Sequence, residues 1–192
     1  NNYNYSFKKK DLKNLKKYTE FNLVGMGGSV LGAQAIYDFL EHKIKKKFFF
    51  FSNLQNFKIS KSKKKRLNIV ISKSGNTLET VSNLNQILSK QKKNNNLIIT
   101  ENKKNILRLI ANKIRSDIID HKNYIGGRYS VLSEVGMVPA ELMGLNEKKF
   151  KRLNYLIKNK SFINYLIHNV SSIHSNVTRG KKNSVILNYD EK

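Results

Sequence analysis

Leu67-Asn68-Ile69-Val70-Ile71-Ser72-Lys73-Ser74-Gly75-Asn76-Thr77-Leu78-Glu79-Thr80 decides how this chain folds. The run LNIVI is short, apolar and rich in β-branched residues, which predicts a buried strand. From Leu78 the apolar residues Leu78, Val81, Leu84, Ile87 and Leu88 recur at helical spacing. Strand, tight turn and helix in that order make the repeating unit of parallel α/β proteins. The turn itself is unusual. Gly75 can take a positive φ. Asn76 is expected to cap the helix, with Glu79 three residues on as its capping-box partner. A cap uses one side chain, yet Ser72, Ser74, Thr77 and Thr80 crowd four hydroxyls around the helix start. Unpaired N–H groups with several hydroxyls at a helix N-terminus form a loop suited to wrapping a phosphate.

The same alternation extends in both directions. Phe21 to Val24 reads as a strand, and Ser29 to Glu41 as a helix with apolar residues Val30, Leu31, Ala33, Ile36, Tyr37 and Leu40 at a helical period. Phe48 to Phe51 is a continuous aromatic run, read as a central strand buried on both faces. Leu97 to Thr100 and Ile118 to Ile119 are further strands, with a helix over Ile106 to Ile114 between them. These strands are apolar on both faces instead of alternating, as in parallel sheets covered on both sides. The expected fold is therefore α/β: a doubly wound, mostly parallel five-stranded sheet with helices on both faces. Val131 to Leu145 and Phe150 to His174 read as helical, and Ser184 to Leu187 as one more strand. A lead-in of residues 1–20 and one domain over 21–192 is the expected organisation, since Pro139 is the sole proline and no long linker divides the chain.

The bulk numbers exclude several classes. A chain of 192 residues with 39% hydrophobic content can build one good core. It has no Cys, which rules out disulfides and thiolate chemistry and fits a reducing cytoplasm. No apolar run approaches the ~20 residues of a membrane span, and NNYNYSF is no signal peptide. The net charge of +24 invites a nucleic-acid role. However, the charge is nearly all Lys, in runs such as Lys8 to Lys10, Lys45 to Lys47 and Lys63 to Lys65 that fall between the apolar segments. Lys rises together with Asn, Ile and Phe, the signature of an A/T-biased coding sequence. No aromatic-interleaved binding motif accompanies it. The reading is no nucleic acid and no membrane partner.

Two more loops stand out. Gly25-Met26-Gly27-Gly28-Ser29 follows the first strand, and its glycines permit close backbone approach to a ligand. A dinucleotide fingerprint would need a sixth-position Gly where Val30 stands, and an acid where Ser52 or Asn53 ends the second strand. Gly126-Gly127-Arg128-Tyr129-Ser130-Val131-Leu132-Ser133 places a rare Arg between a Gly pair and a helix start. Its planar, permanently charged fork suits a phosphate or a developing enolate. The histidines promise little. His42 and His121 lie among lysines, and His168 and His174 are six apart, the wrong spacing for a shared metal on one helix face.

At these three loops the chain resembles the phosphoglucose isomerase (glucose-6-phosphate isomerase) family. VGMGGSVLG is similar to that family's first glycine loop, ISKSGNTLET to its sugar-phosphate loop, and GGRYSVLSEVGMVPA to its G-G-R-[FY]-S-x-x-S signature. The broader sugar isomerase (SIS) domain shares the Ser/Thr-rich loop, whereas the Arg signature is specific to these isomerases. The resemblance implies that Ser72, Lys73, Ser74, Thr77 and Thr80 hold the phosphate. It implies that Gly28, Ser29 and Gly127 line the sugar side, and that the catalytic Arg128 stabilises an enediol(ate). The implied reaction interconverts glucose 6-phosphate and fructose 6-phosphate by proton transfer between C1 and C2, and the resemblance implies no metal and no organic cofactor. The family's base is a Glu in an E-S-N-G-K-type segment, and no such segment stands in this sequence. The family's ring-opening His and late Lys, and its second SIS domain, are likewise not matched. The resemblance thus covers an N-terminal SIS portion, with a homodimer expected of the family's full-length members. Glu79, Glu101 and Glu134 are not assigned the base's role. The alternatives are a non-catalytic sugar-phosphate-binding SIS module and, third, a basic nucleic-acid-binding protein.

Overall fold

Five strands pair in the order β2-β1-β3-β4-β5, all parallel, in a computed structural model that describes residues 3–54, 65–90, 95–181 and 183. The strands are β1 Glu20–Val24, β2 Lys47–Phe51, β3 Arg66–Ile71, β4 Asn95–Glu101 and β5 Asp117–His121. Helices α1 Leu31–Leu40, α2 Leu78–Lys90, α3 Ile106–Ile114 and α4 Glu134–Met143 connect or follow them. The doubly wound reading is therefore correct.

Side-chain parity divides the core into two layers, because successive residues of a strand point to opposite faces. Val24, Val70 and Ile98 stand side by side across the sheet and pack on Leu84 and Ile87 of α2 and Leu107 and Ala111 of α3. On the other face Phe21 stacks on Phe48, Tyr37 of α1 meets Phe48 and Phe50, and α1 packs on α4. The first of these faces also carries a polar row. Asn22 donates to Asn68 at 2.8 Å and Asn68 to Asn96 at 2.9 Å, all three buried and in register on β1, β3 and β4. One level below, Arg66 pairs with Glu20 at 2.6 Å and lies over the Phe49 ring.

The aromatic run corrects one expectation. β2 is an edge strand among the described residues, not a central one. Phe48 is buried, but Phe49 is 37% exposed and Phe50 and Phe51 are half-buried. The neighbour that would have covered a second flank is β3, and it pairs with β1 instead. The helix expected from Val131 begins only at Glu134, capped by the Ser133 side chain, and it ends at Gly144 with φ +93. The strand expected over Ser184 to Leu187 lies outside the described residues.

The chain divides into two compact units, Asn1–Glu147 and Lys148–Lys192. In the first, the lead-in is packed: Phe7, Leu12, Leu15 and Tyr18 are buried. Tyr3 donates to Glu134 at 2.6 Å, and the Ser6 N–H donates to the same carboxylate at 2.7 Å. Glu134 is fully buried at the first position of α4. Burial, reinforced by that carboxylate, holds the Tyr3 phenol protonated far above its usual range. Lys9 and Lys16 both reach Glu141, at 3.1 and 3.2 Å. After α5 Glu147–Phe150, the second unit holds α6 Asn154–Lys158 and α7 Lys160–Thr178. The Asn159 side chain caps α7 and interrupts what the sequence presents as one helix. Among the described residues no helix is long and apolar enough to cross a membrane.

Candidate functional site

In an open parallel sheet with this strand order, winding reverses between β1 and β3. Ligands bind outside the carboxyl ends of the strands at that point. The residues leaving β1 are Gly25–Ser29 and those leaving β3 are Ser72–Thr77, so the two loops singled out in the sequence flank one crevice.

The β3 loop is organised from within. Ser72 is 2% exposed, and its hydroxyl shares a 2.8 Å hydrogen bond with that of Thr77. The Gly75 N–H donates to the same Ser72 hydroxyl at 3.2 Å. Gly75 has φ +68, and a Cβ there would overlap the Asn105 side-chain amide, so only glycine fits. Thr80, three residues beyond Thr77 and on the first turn of α2, is 1% exposed, and its hydroxyl has no partner among the described residues. A buried hydroxyl without a partner costs free energy, on the order of 1–3 kcal/mol. Such a group at a helix N-terminus is set to meet something the protein alone does not supply. Ser74 is exposed, and its hydroxyl accepts from the Asn76 N–H at 3.3 Å.

Two side chains of this loop have roles that differ from the expected ones. Helix α2 starts at Leu78, so Thr77, not Asn76, is the preceding cap residue, and its carbonyl accepts from the Val81 N–H. The Asn76 side chain instead accepts from the Ile106 N–H at 3.0 Å, at the start of α3. The Leu107 N–H donates to the Gly75 carbonyl at 3.0 Å. The phosphate-type loop is thus stapled to the next helix, where Asn105 caps α3 and also donates to Thr100. Asn105 carries a legible signal, a cap residue just before a periodic apolar run. Its reach back to Gly75 is tertiary and carries none. The Lys73 ammonium lies toward β4 and β5: it donates to the Asn123 carbonyl at 2.7 Å and lies 3.5 Å from Glu101.

The third loop joins the first directly. A Cβ on Gly28 would overlap the Gly127 carbonyl and lie 3.1 Å from the Arg128 nitrogen. The Ser130 hydroxyl lies 3.2 Å from the Gly28 carbonyl and 2.6 Å from that of Gly127. A Cβ on Gly25 would lie 3.0 Å from the Ile71 carbonyl, so the first loop also touches the strand that leads into the second. The fold therefore brings Gly28, Ser29, Gly127 and Arg128 together, with Ser72 to Thr80 in the turn and helix start after the neighbouring strand β3. Arg128 is the middle residue of a short 3-10 turn, Gly127–Tyr129, is exposed, and makes no ion pair among the described residues. A guanidinium without a protein counter-charge keeps its full field for an anion.

Two buried carboxylates of this unit, Glu101 and Glu134, are committed to protein partners. Glu101 is buried between Lys103 and Lys73; the Lys103 ammonium outweighs burial and, with Lys73, holds its carboxyl below the usual range. Glu134 accepts from Tyr3 and Ser6. A general base at neutral pH needs the opposite adjustment, a raised pKa and a free lone pair. No three-residue cluster of metal-ligating side chains occurs among the described residues.

The sequence model of the phosphoglucose isomerase family matches residues 8–190. Glucose-6-phosphate isomerase of Methanocaldococcus jannaschii is 32% identical over 204 residues, an alignment covering 93% of this chain and 49% of that protein. The corresponding enzyme of Borreliella burgdorferi is 31% identical, over 90% of this chain and 37% of its own length. The chain thus spans half or less of the length of these relatives. Among solved structures, a hypothetical protein of Thermus thermophilus superposes with TM-score 0.67 at 23% identity, covering 77% of this chain and 40% of its own. Tagatose-6-phosphate ketose/aldose isomerase of Escherichia coli superposes with TM-score 0.57 at 16% identity, over 77% of this chain and 44% of its own. Both share the fold.

Proposed function

The chain belongs to the phosphoglucose isomerase family, and from that premise we propose that it is the phosphate-gripping part of a glucose-6-phosphate isomerase. The observation that carries this reading is the buried, hydroxyl-lined turn at the sheet's switch point with the Arg128 loop joined to the same crevice through Gly28. The phosphate of glucose 6-phosphate or fructose 6-phosphate sits on Ser72, Ser74, Thr77 and Thr80 at the start of α2. Lys73 contributes through its backbone N–H, since its ammonium is held elsewhere. Gly28, Ser29 and Gly127 face the sugar. Arg128 meets the charge that appears on the substrate oxygens only as the cis-enediol(ate) forms, and interactions that grow in the transition state are those that accelerate the step.

The proton must move between C1 and C2, and the committed state of Glu101 and Glu134 leaves that task to a base supplied from elsewhere. Loss of a general base slows such a step by at least ~10²–10⁴-fold. The 192-residue chain alone therefore binds the sugar phosphate and turns it over negligibly. Protein groups suffice for this chemistry, so the reading calls for no cofactor. A cytoplasmic setting in glycolysis and gluconeogenesis, and a homodimer in the complete protein, belong to the same proposal. Calorimetric titration with fructose 6-phosphate tests it. Saturable binding that falls at least ~10-fold in Ser72→Ala/Thr77→Ala is expected. Equal affinity in the double variant would remove these residues from the site, and robust isomerisation by the chain alone would refute the missing base.

A further inference from the structure

Lys73 stands in the middle of the phosphate loop, yet the loop's hydroxyls and its ammonium serve different neighbours. Its backbone carbonyl is pinned to β4 by the Glu101 N–H at 3.1 Å and the Thr100 hydroxyl at 3.3 Å. Its side chain crosses to the residues after β5, donating to the Asn123 carbonyl at 2.7 Å beside the buried Glu101 carboxylate at 3.5 Å. We propose that Lys73 is a positioning residue whose side chain couples the phosphate loop to the segment carrying Arg128, through the Asn123 carbonyl. This rests on the sugar-phosphate reading above and deepens it.

The segment in question runs from Lys122 to Ser130. Its start is fastened by the His121 ring nitrogen against the Lys122 carbonyl at 2.8 Å and by the Ile125 N–H donating to that same carbonyl at 3.2 Å. Its end is fastened by the Ser130 hydroxyl against Gly28. Between these ties, the Lys73 bond links Asn123 to the phosphate loop. Arg128 lies five residues beyond Asn123, on a stretch whose Gly127 carbonyl is held close against Gly28. Glu101 keeps a negative charge beside the ammonium, and Lys103 shares it, so Glu101 stays paired if Lys73 is removed. For the ammonium to grip phosphate directly, it would have to abandon both contacts. A phosphate that draws the Lys73 N–H toward α2 instead moves a residue already tied to Asn123, and the Arg128 segment follows.

The test uses the 192-residue chain, inorganic phosphate as the probe, and backbone amide spectra of wild type, Lys73→Met and Lys73→Arg. In wild type, phosphate shifts the amides of Ser72–Thr80 and also those of Asn123–Arg128. In Lys73→Met the Asn123–Arg128 shifts are lost while those of Ser72–Thr80 remain, and Lys73→Arg restores them because a guanidinium can remake the carbonyl and carboxylate contacts. An affinity that falls in Lys73→Met as far as in Ser72→Ala/Thr77→Ala would make the ammonium a direct ligand and overturn the proposal. Persistence of the Asn123–Arg128 shifts in Lys73→Met would overturn it too. If wild type shows no phosphate-dependent shifts at Ser72–Thr80, the sugar-phosphate reading fails first and the coupling falls with it. That outcome is distinct from a normal wild-type response that survives the substitution.

Discussion

Replacing Gly28 by Ala probes the joint between the two glycine loops. The added methyl would overlap the Gly127 carbonyl and crowd the Arg128 nitrogen at 3.1 Å. Both obstacles are backbone, so no side-chain rotation relieves them. Ordinary carbon contacts lie at roughly 3.5–4 Å, so the Gly127–Arg128 peptide must retreat by about 1 Å. Overpacking of that kind costs about 1–3 kcal/mol. At about 2–4 °C per kcal/mol for a domain of this size, a 2 kcal/mol loss lowers the melting temperature by roughly 4–8 °C. The functional effect is larger, because a misplacement of about 1 Å can reduce catalytic effectiveness about 10²-fold. Calorimetry and titration read the two consequences separately. Affinity for a stable phosphorylated enediolate analogue is expected to fall far more than affinity for inorganic phosphate, which never reaches Arg128. Gly127→Ala supplies the stability control, since a Cβ there meets nothing within 4 Å and the melting temperature should move by less than about 2 °C. A Gly28→Ala chain with wild-type melting temperature and analogue affinity would refute the close approach of the loops.

Three further outcomes follow from the geometry. Burial raises the Glu141 carboxyl, but hydrogen bonds from Glu147 and the Lys9 and Lys16 ammonium groups outweigh it and hold the pKa at about 2. A depressed carboxylate stabilises the fold above its unfolded value near ~4.3 and loses that contribution as pH falls through the folded value. Thermal melts between about pH 4.5 and 2 should therefore show Glu141→Gln losing less stability than wild type, by on the order of 2 kcal/mol once the lysines' exposure is allowed for; parallel profiles would contradict this. Thr80→Val removes the buried hydroxyl that has no partner among the described residues. It should raise stability by up to about 1 kcal/mol while weakening phosphate binding roughly tenfold, and any variant that gains both would place Thr80 outside the site. Asn68→Ala takes the middle member from the Asn22–Asn68–Asn96 row and should cost at least ~2–3 kcal/mol in urea denaturation, with a near-neutral result arguing against the row.

The parallel sheet was legible because β3, β4 and β1 carry short, mostly apolar runs and the helices keep a clear 3.6-residue period. Strand order was not legible. Four phenylalanines read as the centre of a sheet, but nothing local to residues 48–51 states how many neighbours the strand has. Asn22, Asn68 and Asn96 illustrate the same limit. Asn is poor strand composition on its own, and its place in the core depends on a register that joins residues 46 and 28 positions apart. The candidate site was legible at the level of residue type, since Ser72, Thr77, Gly28 and Arg128 all stand at the carboxyl ends of strands. Partner choice within it was not: Asn76 bonds the next helix and Lys73 the loop after β5, contacts set by how β4 and β5 bring their ends alongside.

The central claim is that the turn after β3 holds a sugar phosphate with the Arg128 loop beside it. Titrating the isotopically labelled chain with fructose 6-phosphate while following every backbone amide addresses it most directly. The account predicts saturable shifts concentrated at Ser72–Thr80, with a second group at Gly28–Ser29 and Gly127–Arg128, all abolished together in Ser72→Ala/Thr77→Ala. Saturable shifts centred elsewhere, or none at millimolar ligand, would contradict it.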